Sequence, residues 1–322
     1  MANQPISLET KMRRVLILGT GQVGTFAART LAEKQAFVVA ADLNPTPGYF
    51  WRYGPKTPTE LLKADILESK AISTLIDRYE VDSVVLSAGT TTQACAQNPE
   101  RGWQVNVEGA NNLAKAVLGT SVNRIVFLST FAVYGRPAAN PISESTPLSP
   151  QSEYGRCKAV AENIFWKLSE QGIGVVILRP CGTYGPLRLG VGSQSAQLIE
   201  SLVVGAINHL DLKLKAFPTT SDEYIYVKDL ARAIALATLS DINGTPHIFN
   251  VGAGRKTTAE ELCATLRALV PGASVQIQYP EQEEIAALPP LDISTIEKAL
   301  GFTPQFELAK GLADYVTEAG FR

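Results

Sequence analysis

The sequence predicts an α/β fold in which a doubly wound parallel sheet is covered by helices on both faces, with a smaller, mainly C-terminal α/β lobe. Three observations predict it. Short apolar segments recur between residues 13 and 179, helical stretches separate most of them, and the first segment ends in a cluster of glycines. Strands that are apolar almost throughout are typical of parallel sheets with both faces buried.

The elements follow in order from the N-terminus. A strand at residues 13–18 runs into a glycine turn, and a helix follows at 25–34. A second strand at 37–41 stops at Asp42. Further strand-like segments end near Asp65 and at positions 87, 129 and 179. Beyond Pro186 the alternation becomes irregular, and the sequence predicts helices at 193–207, 258–269 and 294–300 mixed with short strands.

Composition limits the classes of function. The chain has 322 residues, 45% hydrophobic and 19% charged, which is typical of a globular protein of one or two domains. A net charge of −2 without a basic stripe argues against a nucleic acid or a membrane as the main partner. No apolar run approaches the ~20 residues of a membrane span, so a cytoplasmic location is expected. Four scattered cysteines and two histidines predict reduced thiols and no metal site.

The glycine turn predicts a dinucleotide cofactor. It reads Gly19-Thr20-Gly21-Gln22-Val23-Gly24 between a strand and a helix. Gly21 and Gly24 would let the backbone approach a pyrophosphate at the helix N-terminus, and Asp42 would accept hydrogen bonds from a ribose diol. A carboxylate at that place repels a 2′-phosphate, which favours NAD over NADP. The alternative is that Asp42 merely ends its strand.

Tyr154 and Lys158 predict the chemistry. A phenol with an ordinary pKa of about 10 is a poor base near neutrality, and a fixed ammonium lowers that pKa. Positions i and i+4 share a helix face, and this stretch has a helical composition. Tyr224 and Lys228 have the same spacing, but residues 223–227 alternate as in a strand, where neighbouring side chains point to opposite faces. The first pair is therefore the better candidate.

With these motifs, the chain resembles the extended short-chain dehydrogenase/reductase family, in particular its NAD-dependent epimerase/dehydratase branch. The resemblance covers nearly the whole chain. Its ordered blocks include Asp65-Ile66, Ser87-Ala88-Gly89, Asn106-Val107-Glu108-Gly109, Ser129-Thr130-Phe131-Ala132-Val133-Tyr134-Gly135 and Arg179-Pro180-Cys181-Gly182-Thr183-Tyr184-Gly185-Pro186, followed by Tyr224-Ile225-Tyr226-Val227-Lys228-Asp229, Phe249-Asn250-Val251-Gly252-Ala253-Gly254 and Ala299-Leu300-Gly301-Phe302-Thr303-Pro304.

The resemblance implies roles for individual residues. Tyr154 is the general acid/base, Lys158 lowers its pKa, and Thr130 holds the reacting oxygen. An alternative for Thr130 is a hydroxyl satisfied by nearby backbone. The implied NAD contacts are Gly19, Gly21, Gln22, Val23, Gly24, Asp42, Asp65, Ile66, Ser87, Ala88, Gly89, Asn106, Ser129, Tyr154, Lys158, Pro180 and Thr183.

The resemblance also implies an organisation of the chain. A Rossmann-type NAD-binding domain is expected at 12–185 plus 223–251, and a substrate-binding lobe at 186–222 plus 252–322. Helices around 100–118 and 154–169 match those that form the dimer bundle in similar proteins, which predicts a homodimer.

Departures from the family pattern narrow the reaction and the substrate. Phe131 and Ala132 replace the acidic residues of dehydratases and decarboxylases, and neither transfers a proton. Asp222 replaces a diphosphate-gripping Arg, and the segment 283–290, which begins with Glu283 and Glu284, stands near where a second Arg is expected. Two further departures are Gly182 in place of an Asn and Leu18 in place of a Gly, while Arg188, Lys213, Lys215 and Arg255 remain as compensating cations.

The leading hypothesis is an NAD-dependent oxidoreductase or epimerase that acts on a secondary hydroxyl of a sugar-like or polyol substrate. The departures slightly favour a hydroxylated small molecule without a nucleotide diphosphate. Two alternatives stay open: a UDP- or TDP-sugar 4-epimerase, and a non-catalytic NAD-sensing protein. Intact Thr130, Tyr154 and Lys158 argue against the second, because a sensor needs none of them.

Overall fold

The computed structural model describes residues 12–187, 189–217, 219–242, 246–281 and 287–318. Strands and helices alternate through the first part of the chain. They are β1 (Arg14–Leu18), α1 (Gln22–Glu33), β2 (Phe37–Asp42), α2 (Pro47–Tyr53), β3 (Glu60–Lys63), α3 (Ser69–Tyr79), β4 (Ser83–Leu86), α4 (Thr92–Gln97), α5 (Pro99–Trp103), α6 (Gly109–Val117), β5 (Arg124–Leu128), α7 (Glu153–Ser169) and β6 (Gly174–Pro180). A π-helical turn (Gln104–Glu108) leads into α6, and a 3₁₀ turn (Phe131–Val133) follows β5.

The rest of the chain alternates less regularly, as the sequence predicts. Its elements are β7 (Gly182–Tyr184), α8 (Gln194–Ile207), β8 (Asp211–Lys215), β9 (Ser221–Asp222), β10 (Tyr224–Tyr226), α9 (Val227–Leu239), β11 (His247–Val251), β12 (Thr257–Thr258), α10 (Ala259–Leu269), β13 (Ser274–Gln278), α11 (Ser294–Leu300) and α12 (Leu308–Glu318). The three predicted C-terminal helices are therefore present, two of them starting one residue later than predicted.

Seven strands form one parallel sheet in the order β11-β6-β5-β4-β1-β2-β3. The central strands β4 and β5 are buried at every residue, which is why they are apolar from their second residue onward. The winding reverses between β1 and β4, and a crevice opens at the carboxyl ends of strands where such a reversal occurs. The predicted fold class is confirmed.

The sheet buries a separate hydrophobic core on each face. On one face, Leu31 of α1 and Ile234 of α9 pack against the strands. On the other face, the packing residues come from α3, α6 and α7 and include Ile72, Leu113 and Phe165. Helices on both faces are what doubly wound means, so both cores follow from the alternation of elements.

A third core belongs to the smaller lobe. It joins α8, α10 and α12 through Val203, Leu266 and Leu312, among other buried residues. Besides the seven-stranded sheet, the described residues form three two-stranded pairs: β9 with β12 and β8 with β13 within the predicted lobe, and β7 with β10 within the predicted NAD-binding segments. Across the described ranges, none of the helices is both long and apolar enough to cross a membrane.

Two predicted boundaries are wrong. The first helix begins at Gln22 and not at Thr25, because Gly21 already serves as its N-cap residue. The predicted strand at 223–227 ends at Tyr226, and α9 begins with Val227, so Lys228 lies on a helix. The apolar residues that follow recur at helical spacing, which decides the conformation from Val227 onward.

Candidate active site

The carboxyl ends of β1, β4, β5 and β6 open into a cavity of about 460 Å³. Chain segments far apart in sequence meet here, because parallel strands end at the same edge of a sheet. The structure places twelve of the predicted site residues in its lining: Gly21, Gln22, Val23, Gly24, Ser87, Gly89, Ser129, Thr130, Tyr154, Lys158, Pro180 and Thr183.

The glycines of the turn have different tasks. Gly19 has φ +98°, and a Cβ there would lie 2.4 Å from the Ala88 backbone nitrogen. A Cβ on Gly24 would lie 1.9 Å from the Gly19 carbonyl oxygen, so both glycines let the turn pack closely. A Cβ on Gly21 would meet nothing within 4 Å. This open space at the N-terminus of α1, which has no side-chain cap, fits a dinucleotide pyrophosphate.

Asp42 fixes the glycine turn. Its Oδ2 accepts hydrogen bonds from the Thr20 backbone nitrogen at 2.7 Å and from the Thr20 hydroxyl at 3.2 Å. Its Oδ1 accepts a hydrogen bond from the Asn44 backbone nitrogen at 2.9 Å. A carboxylate at the end of β2 therefore stands beside the turn, as a ribose-binding acidic residue must. Contact with a ribose stays a prediction.

Six described residues of the predicted set lie outside the cavity lining: Gly19, Asp42, Asp65, Ile66, Ala88 and Asn106. Asp65 accepts a hydrogen bond from the Leu67 backbone nitrogen at 2.9 Å. Ile66 is buried, and its side chain would lie 3.0 Å from a Cβ on Gly109 of α6. The contact of Asp65 and Ile66 with an adenine stays a prediction.

Tyr154 and Lys158 lie in the first two turns of α7. The Lys158 Nζ is 5.8 Å from the centre of the Tyr154 ring and 4.8 Å from the centre of the Phe127 ring. It donates a hydrogen bond to the Leu128 carbonyl at 2.9 Å. Burial lowers the pKa of Lys158 to about 8, and nearby Cys95 is the strongest opposing influence. The Lys158 ammonium therefore loses its proton at a pH only slightly above neutral.

Burial also raises the pKa of Tyr154 well above its ordinary value, with a further increase from Cys95 and a decrease from a hydrogen bond with Thr130. Thr130 meanwhile accepts a hydrogen bond from the Ala132 backbone nitrogen at 3.2 Å. Thr130 therefore contacts both Tyr154 and nearby backbone, and its hold on the reacting oxygen stays a prediction. A phenolate at this position needs added positive charge, which is the role predicted for Lys158 together with an oxidised nicotinamide.

Asn106 lies behind this pair on the π-helical turn. Its Nδ2 donates to the Thr90 hydroxyl at 2.6 Å and to the Gly102 carbonyl at 2.9 Å, while its buried Oδ1 has no hydrogen-bond partner among the described residues. A Cβ on Gly89 would lie 2.8 Å from that oxygen and 3.3 Å from the Lys158 Nζ. A larger residue at position 89, three residues after β4, would therefore displace the Asn106 and Lys158 side chains.

Sequence reasoning missed several polar residues of the lining: Thr90, Thr91, Thr92, Ser152, Ser193, Gln194 and Ser195. Three of them cap helices. Thr91, Ser152 and Ser193 accept hydrogen bonds from the first turns of α4, α7 and α8 at 3.3, 3.1 and 3.2 Å. A Ser or Thr before a helix is a readable signal, but it does not say which helices begin at the cavity.

The far side of the cavity is bordered by acidic groups. Burial raises the pKa of the Cys181 thiol, which lines the cavity, and Glu223 and Asp222 raise it further. Glu223 accepts hydrogen bonds from the Gly254 and Leu291 backbone nitrogens at 2.9 and 2.8 Å. Burial also raises the pKa of Asp222. Asp222, the acidic residue that the sequence analysis singled out, and its neighbour Glu223 therefore lie close enough to the cavity to affect Cys181.

Three of the four predicted compensating cations, Lys213, Lys215 and Arg255, lie outside the cavity lining. Lys213 and Lys215 are exposed on β8, and Arg255 pairs with Glu261 at 2.9 Å. Arg188 and residues 282–286 fall outside the described ranges.

The glycine turn at a helix N-terminus and the Tyr-Lys pair beside it define a nicotinamide-dependent enzyme of the short-chain dehydrogenase/reductase class. The model of the NAD dependent epimerase/dehydratase family matches residues 15–252, and the chain belongs to that family. The predicted resemblance, the enzymatic nature of the protein and NAD as its cofactor are thereby confirmed.

Similar proteins share nearly the full length of the chain. A UDP-glucose 4-epimerase of Streptomyces lividans is 28% identical over 297 residues, which is 89% of each chain. A putative UDP-glucose 4-epimerase of Methanocaldococcus jannaschii is 28% identical over 300 residues, 91% of this chain and 94% of that one.

Solved structures show the same fold. The UDP-glucose 4-epimerase of Brucella ovis in complex with NAD is 25% identical with a TM-score of 0.82 and covers 94% of this chain and 97% of its own. The enzyme of Stenotrophomonas maltophila, with bound NAD and formylated UDP-arabinopyranose, is 23% identical with a TM-score of 0.86 and covers 96% and 98%.

Proposed function

We propose that this protein is an NAD-dependent sugar epimerase, which inverts one secondary alcohol by oxidising it and reducing it again from the other face. NAD supplies the hydride chemistry at that carbon. Tyr154 takes the hydroxyl proton during oxidation and returns it during reduction. Lys158 stabilises the phenolate between these steps, and Thr130 orients the reacting oxygen.

The scarcity of proton carriers in the cavity supports this reaction. Tyr154, Lys158 and Cys181 are the ionisable residues among the described lining, and the raised pKa of Cys181 keeps its thiol protonated. Phe131 and Ala132 line the cavity beside Thr130 and carry no proton. Elimination and decarboxylation need a further acid or base, whereas inversion through a ketone needs only one group that gives back the proton it took.

A UDP-linked hexose is the first substrate to test, because the similar proteins named above are UDP-glucose 4-epimerases. Two observations favour a sugar without the nucleotide diphosphate. Asp222 replaces a cation beside the cavity, and a Cβ on Gly182 would lie 2.8 Å from the Ser195 hydroxyl, so the larger Asn of the family pattern does not fit without rearrangement. Titration with UDP separates the two candidates, since only the first requires binding.

The function is tested by purifying the protein, measuring retained NAD and incubating it with UDP-glucose, UDP-galactose, TDP-glucose, free hexoses and polyols. We expect retained NAD and an inverted product without a lasting rise in absorbance at the reduced-nicotinamide wavelength. Net reduction of NAD would assign a dehydrogenase instead. Retained NAD with no turnover on any of these compounds would favour the NAD-sensing alternative.

We also propose the predicted division of the chain, with the segments 186–222 and 252–322 holding the substrate. Ser193, Gln194 and Ser195 at the start of α8 support it, because they bring this lobe to the cavity. A homodimer is proposed through the helices predicted for it, which leave Trp103 and Trp166 each 45% exposed. Light scattering that gives a monomer mass would contradict it. The cytoplasmic location stays a prediction.

A further inference from the structure

A buried ion pair lies behind the catalytic residues. Glu162 of α7 and Arg179 of β6 are 5% and 3% exposed. The Arg179 Nη2 and Nε donate to the two carboxylate oxygens at 2.6 and 2.9 Å. The Arg179 Nη1 donates to the Tyr134 hydroxyl at 2.8 Å, which in turn donates to Asn250 at 2.7 Å. A bidentate pair with further hydrogen bonds is the arrangement that tolerates burial.

Glu162 connects three elements that carry site residues. The Ser129 hydroxyl at the end of β5 donates to the Glu162 Oε1 at 2.5 Å, and Ser129 directly precedes Thr130. Lys158 lies one turn earlier on the same helix as Glu162. Arg179 directly precedes Pro180, which lines the cavity. One carboxylate thus joins the strand end that carries Thr130, the helix that carries Lys158, and the strand that leads to Pro180.

The charges around Lys158 give Glu162 a second effect. Its own helix contributes Tyr154, Cys157 and Glu162, and α4 contributes Cys95. β5 contributes the uncharged Leu128 carbonyl and the Phe127 ring. Burial lowers the pKa of Lys158, whereas Cys95, Cys157 and Glu162 raise it. Glu162 is the carboxylate in this set.

The network has one further acid at its outer end. Burial raises the pKa of Tyr134, Arg179 lowers it, and the charges of Glu144 and Glu162 raise it. The Glu144 carboxylate accepts hydrogen bonds from the Asn250 backbone nitrogen at 2.8 Å and from the Thr295 hydroxyl at 3.1 Å. It is therefore held on the β11 side of Tyr134, while Glu162 lies on the side of the catalytic helix.

We propose that Glu162 is a positioning residue for the catalytic pair: held by Arg179, it fixes Ser129 and Thr130 against α7 and supports the positive charge of Lys158. Glu162 lies outside the described cavity lining and acts only through these neighbours. The inference rests on the proposed roles of Lys158 and Tyr154. It assigns a role to Glu162, which would contact neither the substrate nor the cofactor.

The test is the titration of Lys158 in full-length, NAD-loaded Glu162→Gln protein. The substitution removes the carboxylate charge and leaves Arg179 uncompensated, so the midpoint for Lys158 should fall by about one pH unit. Carbon-13 NMR of reductively methylated lysines measures it, with the Lys158 signal identified by its absence in Lys158→Arg. This readout needs no substrate, so it stands even where the proposed reaction fails.

Two further variants separate charge from structure. Glu162→Gln combined with Arg179→Met removes both charges, leaves no unpaired buried ion, and should shift the Lys158 midpoint in the same direction by less. Ser129→Ala removes one hydrogen bond and no charge, so it should leave the Lys158 midpoint in place while lowering kcat on the sugar that the substrate screen identifies. An unchanged Lys158 midpoint in both Glu162 variants would overturn the proposal.

Discussion

At the scale of single residues, the site depends on two groups that are each unfavourable where they stand. Burial disfavours the ammonium of Lys158 and the phenolate of Tyr154. It therefore lowers the pKa of Lys158 and raises the pKa of Tyr154, and both shifts favour the uncharged form. Each charge offsets part of the cost of the other when both are present. Lys158, with a pKa of about 8, lies beside a phenol that burial keeps protonated. Such shifted pKa values are typical of sites that transfer protons and do not favour stability.

Replacing Tyr154 with Phe should reduce turnover by roughly 10²–10⁴-fold, because the acid/base group is lost, while NAD binds nearly as before. Steady-state kinetics and NAD titration measure the two effects. Tyr224→Phe is the matched control, since Tyr224 also stands four residues before a lysine but on β10. Near-normal turnover in the Tyr154 variant would remove this residue from the mechanism.

The pH dependence should report the Lys158 proton. The pKa of this buried lysine is about 8, so kcat/KM should decline as the pH rises through that value and the ammonium is lost. Lys158→Arg keeps a charge at alkaline pH and should abolish the decline, even at a lower absolute rate. A wild-type profile that stays flat into the alkaline range would contradict a functional charge on Lys158.

The residues that chemistry requires were predictable, whereas their supports were not. Tyr154 and Lys158 are recognisable by type and spacing, Thr130 is recognisable from the family resemblance, and all three line one cavity. Asn106 is recognisable from its family block, but its orientation depends on a π-helical turn that no spacing rule predicts. Glu162 looks like any solvent-facing helix residue until Arg179 and Ser129 are seen to surround it.

At the scale of elements, the strand–turn–helix unit of β1 and α1 shows that glycines of the same motif have different structural roles. Gly19 and Gly24 resolve close backbone contacts inside the turn. Gly21 faces open space at the start of the helix. The motif predicts where a pyrophosphate is bound, and the structure separates the glycine that leaves room for it from those that shape the turn.

Gly21→Ala should therefore leave the stability of the NAD-free protein within about 1 kcal/mol of the wild type and weaken NAD binding. Gly24→Ala should lower stability by about 1–3 kcal/mol, because its Cβ would meet the Gly19 carbonyl. Thermal unfolding without NAD and calorimetric titration with NAD measure the two effects. Unchanged affinity in the Gly21 variant would show that this space is not used by the cofactor.

The second Tyr-x-x-x-Lys segment crosses an element boundary. Lys228 lies in the first turn of α9, where its ammonium contacts Asp314 and Glu318 of α12, each at 2.7 Å. The alternation seen in the sequence is real through Tyr226 and ends there. Strand and helix patterns overlap for a few residues at such a junction, so local periodicity cannot locate it.

Lys228→Ala should lower the free energy of unfolding by about 1–3 kcal/mol and leave kcat nearly unchanged. The reason is that Asp314 and Glu318 lose a partner that holds α12 in place, while the cavity keeps its lining. Denaturant unfolding and steady-state kinetics measure the pair of effects, and Lys158→Ala provides the opposite pattern. A collapse of turnover without loss of stability would reverse the assignment of the two lysines.

At the scale of the whole molecule, the parallel sheet was predictable because most of its strands contain a continuous apolar run; β3 and β11 are the exceptions. The lobe was only outlined, since its short strands pair across long stretches of chain: β9 with β12, and β8 with β13. The same long-range contacts bring Ser193 and Ser195 to the cavity beside Thr91. Such meetings depend on how the lobe closes over the sheet and leave no local signal.

The wider arrangement also explains why substrate identity is harder to predict than reaction type. The residues proposed for proton transfer come from the end of β5 and from α7, and they follow the family pattern. Substrate binding is proposed for the lobe, and Asp222 in the lobe and Gly182 just before it depart from that pattern, while the two similar proteins named above are 28% identical over nearly the whole chain. The fold and the NAD dependence therefore follow from the family pattern, whereas the substrate screen and the UDP titration identify the group attached to the sugar.

The most direct test of the account uses the sugar identified by the substrate screen, prepared with deuterium on the carbon that is inverted. Oxidation and reduction within one active site predict that the product retains the deuterium on that carbon, with no solvent hydrogen incorporated and no NADH left over. Solvent hydrogen at that carbon would show inversion by proton abstraction from carbon and would contradict the account. Stoichiometric NADH with an accumulated ketone would also contradict it, since the second half of the proposed reaction would be missing.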